Sequence, residues 1–166
     1  MKPEAPSEEN KGAAFSESLY RKIAGMSNRD FIDLRNFVLS VAPEGQGKLK
    51  ALQTSFYSNG AKGVPEYVTP RDAWDAAAQH DFRYTVGPNS LFVAEWGRDR
   101  EEADKKFVAD VQEQNDYPWV AWYVAAEVAS IILSAIGPLN YTPTPVTNEH
   151  KFETYSDIQE AVGGVS

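Results

Sequence analysis

Few residues in this chain could carry chemistry. Cysteine is absent and there are two histidines, His80 and His150. That excludes a thiolate nucleophile, a disulfide framework and the usual His/Cys zinc sites. A metal, if one binds, is expected to be a hard cation held by oxygens. His80 stands in the segment Asp75-Ala-Ala-Ala-Gln-His80-Asp81-Phe82-Arg83-Tyr84. On a helix it lies one turn beyond Ala76 and Ala77, with Tyr84 one turn further on. Such small residues let a second helix approach and enclose the imidazole. Asp81 is rotated about 100° away around the axis and faces a different neighbour. Downstream, Asp104 shares its helix face with Phe107, Val108 and Val111. An acid on an apolar stripe is unusual, and burying it is costly without a partner. The natural partner is the other misplaced polar group, His80, with the Tyr84 hydroxyl assisting. A carboxylate bonded to one imidazole nitrogen leaves the other free to take a proton from water. By residue pattern alone such a pair is more often two core groups that satisfy each other, with Tyr84 as packing. His150, near the C-terminus, reads as a surface residue.

The elements that must position these groups are helical. Phe15, Leu19 and Ile23 recur at helical spacing and predict a short helix over Phe15–Met26. Ser27 followed by Asp30 caps a second helix, whose stripe is Phe31, Leu34, Phe37, Val38 and Val41; Pro43 and Gly45 stop it. A third runs from about Gly47 to Phe56. Residues 57–69 have loop composition. Thr69 and Pro70 then open the helix that carries His80, which runs to about Tyr84. Leu91 to Ala94 is expected to be a brief extended segment. Asp99, with Glu102, is expected to cap the helix that carries Asp104, from Arg100 to about Gln114. Residues 1–14 read as a polar, disordered arm without a secretory signal. Residues 139–166 read as a flexible acidic tail.

Pro118 to Gly137 has about the 20 residues that a membrane span needs. Glu127 sits near its centre, where an acid costs about 2.5–3.5 kcal/mol on insertion scales. A buried core helix ended by Gly137 and Pro138 is the preferred reading. A membrane span and a membrane-surface helix are the alternatives, the latter with Tyr117, Trp119, Trp122 and Tyr123 forming an aromatic belt at one end.

The chain has 166 residues and a net charge of −8, with an isoelectric point of about 4.8. An acidic surface argues against binding to nucleic-acid phosphates, which relies on Lys and Arg, and against simple docking on anionic lipid.

The His80-Asp81-x-x-Tyr84 segment resembles the catalytic helix of phospholipases A2. The preceding alanines and the lack of cysteine are most similar to the phospholipase A2 domain of parvovirus minor capsid proteins. Ala103-Asp104-x-x-Phe107 resembles the Ala-Asp-x-x-Phe of that domain's other long helix, and Ala135-Ile136-Gly137-Pro138 is similar in placement. The resemblance spans roughly residues 57–138. It implies a mainly α fold in which two long antiparallel helices carry His80 and Asp104, here with additional N-terminal helices over residues 15–56. It implies that His80 is the general base, that Asp104 orients it, that Tyr84 hydrogen-bonds Asp104, and that Asp81 is the side-chain ligand of a Ca²⁺ ion. The family's calcium loop reads Tyr-x-Gly-x-Gly. Here Tyr57 is followed by Ser58, Asn59, Gly60, Ala61, Lys62 and Gly63. Tyr57, Asn59 and Gly60 are the expected loop ligands, but the glycines are displaced and Lys62 lies where the cation would sit.

Three functions follow as expectations. The first is Ca²⁺-dependent hydrolysis of the sn-2 ester of glycerophospholipids, for viral membrane breach at a virion or host-membrane interface. The second is an inactive phospholipase-like module of a capsid or other assembly; without the viral link, a cytoplasmic location is expected. The third is a membrane-binding protein that uses Trp119 and Trp122.

Overall fold

The computed structural model describes residues 12–42, 47–57, 72–87, 93–113 and 150–164. Among them the chain is mainly helical, with one small two-stranded sheet. The elements in chain order are β1 (Ala14–Phe15), α1 (Glu17–Gly25), α2 (Asn28–Leu39), α3 (Lys48–Phe56), α4 (Asp72–Val86), α5 (Val93–Glu113), β2 (Lys151–Phe152) and α6 (Tyr155–Gly163).

Local capping accounts for the helix starts near the N-terminus. The Ser16 hydroxyl accepts from the Leu19 amide at 3.2 Å, and that of Ser27 accepts from the Asp30 amide at 3.1 Å. Each satisfies a backbone donor that the helix itself leaves over. α4 ends at Gly87, whose φ of 60° suits a residue without a Cβ.

Phe15 belongs to β1, not to the first helix as its spacing predicts. Ser16 caps α1 instead, and Phe15 is freed to pair with Phe152 in a parallel bridge. The Ala14 amide donates to the His150 carbonyl at 2.8 Å, and the Ser16 amide to the Phe152 carbonyl at 2.8 Å. Residues 12–14 are therefore not part of a loose arm. Over residues 150–164 the expectation of a flexible tail fails for the same reason: they form β2 and α6, and Phe152, Ile158 and Val162 are buried. His150, read as a surface residue, is half-buried.

One core joins these segments to the His80 helix. Phe82 of α4 lies within ring contact of Phe15, Tyr20, Phe31 and Phe56, with centroids 5.5, 6.2, 5.6 and 4.9 Å away. Ala78 and Val86 share that apolar cluster. Burying one such phenylalanine is worth about 1.5–3 kcal/mol, and favourable ring pairs add about 0.5–1.5 kcal/mol each. Gln79, also on α4 and buried, donates to the carbonyls of Ile23 and Met26 at 3.2 and 3.0 Å, closing the C-terminal end of α1. The N-terminal helices thus form the floor on which α4 rests.

The other side of α4 packs against α5. His80 meets Asp104 and Arg83 meets Asp99, so the two helices run in opposite directions. α5 also corrects two expectations. It begins at Val93, so Val93 and Ala94 are helical and not extended. Asp99 lies within the helix and is not its cap: its carboxylate is buried, accepting from the Tyr20 hydroxyl at 2.6 Å and from Arg83 at 2.9 Å. Leu91, the expected Thr69–Pro70 helix start and the Pro118–Gly137 helix lie outside the described residues. No helix among the described residues is long and apolar enough to cross a membrane.

Candidate active site

α4 brings His80 and Tyr84 to the α5 interface because Ala76 and Ala77 on α4 and Ala103 on α5 are small and buried. Small residues at a crossing let backbones approach closely. His80 is 8% exposed. Its Nε2 lies 2.8 Å from Asp104 Oδ1. An ionised carboxylate can only accept, so Nε2 carries the proton and, in the neutral ring, Nδ1 is the acceptor. The Tyr84 hydroxyl donates to the same Oδ1 at 2.6 Å. Arg100, one turn before Asp104 on α5, donates to Oδ2 at 3.2 Å. The carboxylate is thus held at both oxygens by three donors.

Ring packing fixes the imidazole further. The Tyr84 ring centroid is 4.1 Å and the Phe107 centroid 5.2 Å from that of His80. Phe107 and Val111 are buried on the α5 stripe, and Val108 is half-buried. Nδ1, the nitrogen not engaged by Asp104, faces Asp81 Oδ1 at 3.9 Å. That is beyond direct hydrogen-bond reach and is a separation that a water can bridge.

Burial pulls the imidazole towards its neutral form. The hydrogen bonds and charges of Asp104 and Asp81 outweigh it, so the His80 pKa is raised above its ordinary value of 6.5. The Tyr84 phenol is pushed up by burial and by its bond to Asp104, so it stays a donor.

Asp81, the expected side-chain ligand of a cation, lies beside Nδ1 and is half-buried. Tyr57, at the end of α3, is exposed. Asn59 and Gly60, the other expected loop ligands, and Trp119 and Trp122, the expected membrane contacts, lie outside the described residues. Among the described residues no three or more acidic, histidine or cysteine side chains converge as a metal site.

Two features escape a reading of the sequence. Arg100 precedes Asp104 by four residues, a spacing that could have revealed it as a helix-face partner. The buried Tyr20–Asp99–Arg83 network links α1, α4 and α5, and only the buried positions of all three mark it.

The arrangement can hold one imidazole tautomer, keep Nδ1 available to a water and stabilise the imidazolium that would follow proton transfer. Comparison of the chain with protein-family models, with curated protein sequences and with solved structures gives no match.

Proposed function

We propose that this protein is a phospholipase A2-like esterase that cleaves the sn-2 ester of glycerophospholipids with Ca²⁺. The observation that carries this reading is the His80 Nε2–Asp104 Oδ1 hydrogen bond of 2.8 Å, with Nδ1 turned towards Asp81. The antiparallel helix pair that bears these groups is in keeping with a phospholipase A2-like fold.

In this mechanism a water at Nδ1 gives its proton to His80 as its oxygen attacks the ester carbonyl. Asp104 stabilises the imidazolium through Nε2. The proton then passes to the departing sn-2 alkoxide as the C–O bond breaks, leaving a fatty acid and a lysophospholipid. Asp81 would be the side-chain ligand of the ion, with backbone oxygens of Tyr57, Asn59 and Gly60 completing its shell. When bound there, such an ion would supply charge that polarises the ester carbonyl. Trp119 and Trp122 are assigned to the membrane contact. The resemblance in the His80 and Asp104 segments supports membrane breach by a viral particle as the setting.

The test is fatty-acid release from phosphatidylcholine vesicles, with Ca²⁺ and with chelator, for wild type and His80→Ala. Chelator-sensitive release that the substitution abolishes is expected. Folded wild type that releases no fatty acid would sink the reading. The second reading is an inactive phospholipase-like module of a capsid or other assembly. The displaced glycines and Lys62 in the Tyr57–Gly63 segment favour it.

A further inference from the structure

We infer that Arg100 is a positioning residue for the His80–Asp104 pair, holding Asp104 Oδ2 so that Oδ1 stays presented to His80 and Tyr84. This rests on the esterase reading for its catalytic consequence but not for its geometry. Oδ1 already takes two donors from α4, the imidazole at 2.8 Å and the phenol at 2.6 Å. Both pull on one oxygen and leave the carboxylate free to swing about its last torsion, which is soft. Arg100 removes that freedom by binding the other oxygen at 3.2 Å. It lies on the same helix as Asp104, so its grip does not depend on the docking of α4.

The pair is unlike an ordinary helix-surface ion pair. Arg21 and Glu17 on α1 have the same spacing but are 54% and 64% exposed, whereas Arg100 and Asp104 are 18% and 16% exposed. The order, base before acid, is also the less favourable one for stabilising an isolated helix. A carboxylate so enclosed needs a compensating cation nearby. The imidazole in its base form carries no charge; Arg100 does. Lys106 and Arg83 are engaged elsewhere, with Asp110 at 2.8 Å and Asp99 at 2.9 Å. Arg100 and the Tyr84 hydroxyl thus hold opposite oxygens of one carboxylate.

The experiment compares wild type, Arg100→Gln, Arg100→Lys and Arg98→Gln. Arg98 is exposed on the same helix, so its variant reports the effect of losing one positive charge on vesicle binding. Two quantities are read: the low-field proton NMR resonance of the His80 Nε2–H, assigned by its loss in His80→Ala, and kcat and KM on phosphatidylcholine vesicles with Ca²⁺. Arg100→Gln is expected to shift or broaden the resonance and to lower kcat about tenfold with KM within about twofold. Arg100→Lys, which keeps the charge without the planar fork, should fall between. Arg98→Gln should keep the wild-type resonance and kcat. An Arg100→Gln protein matching Arg98→Gln in resonance and kcat overturns the inference. Should Arg100→Gln fail to fold, Arg100→Lys decides, and wild-type values in both readouts overturn it. If wild type hydrolyses nothing, the esterase reading fails on its own, and the resonance alone decides whether Arg100 sets the geometry of the pair.

Discussion

The hydroxyl of Tyr20 donates to Oδ2 of Asp99 at 2.6 Å, joining α1 to α5 across 79 positions of sequence. Asp99 Oδ1 takes Arg83 of α4 at 2.9 Å. One buried carboxylate therefore ties the N-terminal helices to both helices of the candidate site. Removing it leaves the Arg83 guanidinium buried without its close partner, because Glu102 stands off at 3.7 Å. Asp99→Leu is expected to cost about 3–5 kcal/mol, and Tyr20→Phe about 1.5–3 kcal/mol. Urea unfolding of the two variants measures both.

The same phenol has an alkaline signature. Burial, then the charge of Asp99, pushes the Tyr20 pKa far above its ordinary value of 10.0. Below pH 10 both folded and unfolded chains hold this proton, and its contribution is fully present. Above pH 10 the unfolded chain loses the proton while the folded chain retains it, so stability falls as pH rises. The gap in unfolding midpoint between wild type and Tyr20→Phe should therefore narrow above pH 10. A gap that stays constant up to pH 11.5 would contradict it.

Tyr84 and His80 share one acceptor atom, so losing the phenol hydroxyl loosens the carboxylate without touching the imidazole. Tyr84→Phe keeps the ring against His80 and removes only the 2.6 Å bond. A drop in kcat of about three- to tenfold with little change in KM is expected. Steady-state kinetics on phosphatidylcholine vesicles check it.

Phe82 and His80 sit on different sides of one helix, and the core side holds the site side in place. Phe82→Ala would open a cavity among four aromatic rings and is expected to cost about 3–5 kcal/mol. Phe82→Leu should cost less than about 2 kcal/mol by keeping most of the volume. Denaturant midpoints, read with the His80 ring-proton shifts, show whether the loss at the core reaches the imidazole.

Asp157 caps α6 together with Thr154. Its carboxylate accepts the backbone N–H of Glu153 at 2.7 Å and of Thr154 at 2.9 Å, and these bonds lower its pKa below the ordinary 3.8. The contribution is present above pH 3.8 and is lost as pH falls through the lower folded value. The stability advantage of wild type over Asp157→Asn should be full at neutral pH and vanish in acid. Thr154→Ala, which removes the reciprocal cap, should cost about 1 kcal/mol at neutral pH. Thermal melts at pH 7 and pH 2.5 distinguish the cases.

Some local chemistry was readable from the sequence because the partners lie within one helical turn, although the Arg100–Asp104 contact and the Ser16 and Thr154 caps at the same range were not read. Ser27 and Asp30 cap α2 as their spacing predicts, and Ala76 and Ala77 announce a close helix crossing. The His80–Asp104 pairing was also legible, for a non-local reason. Each is a polar group on a face that must be buried, and two such misfits have few other ways to avoid an unsatisfied charge.

The sequence was ambiguous where a group had two possible partners at different distances. Asp99 followed by Glu102 has the pattern of a helix cap, yet its carboxylate serves Tyr20 and Arg83 because burial favours the partners that bring charge and a second hydrogen bond. Phe15 fits a helical stripe, yet it is drawn into a strand by Phe152, far away in the chain. The acidic composition of residues 150–164 conceals the three apolar side chains that complete the core. By itself the sequence determined the helical class, the Ser27 cap and the two residues that had to meet. The tertiary structure alone decided that residues 12–15 and 150–164 close the core under α4 and that Asp99 serves Tyr20 and Arg83, since both depend on which distant surfaces exclude water together.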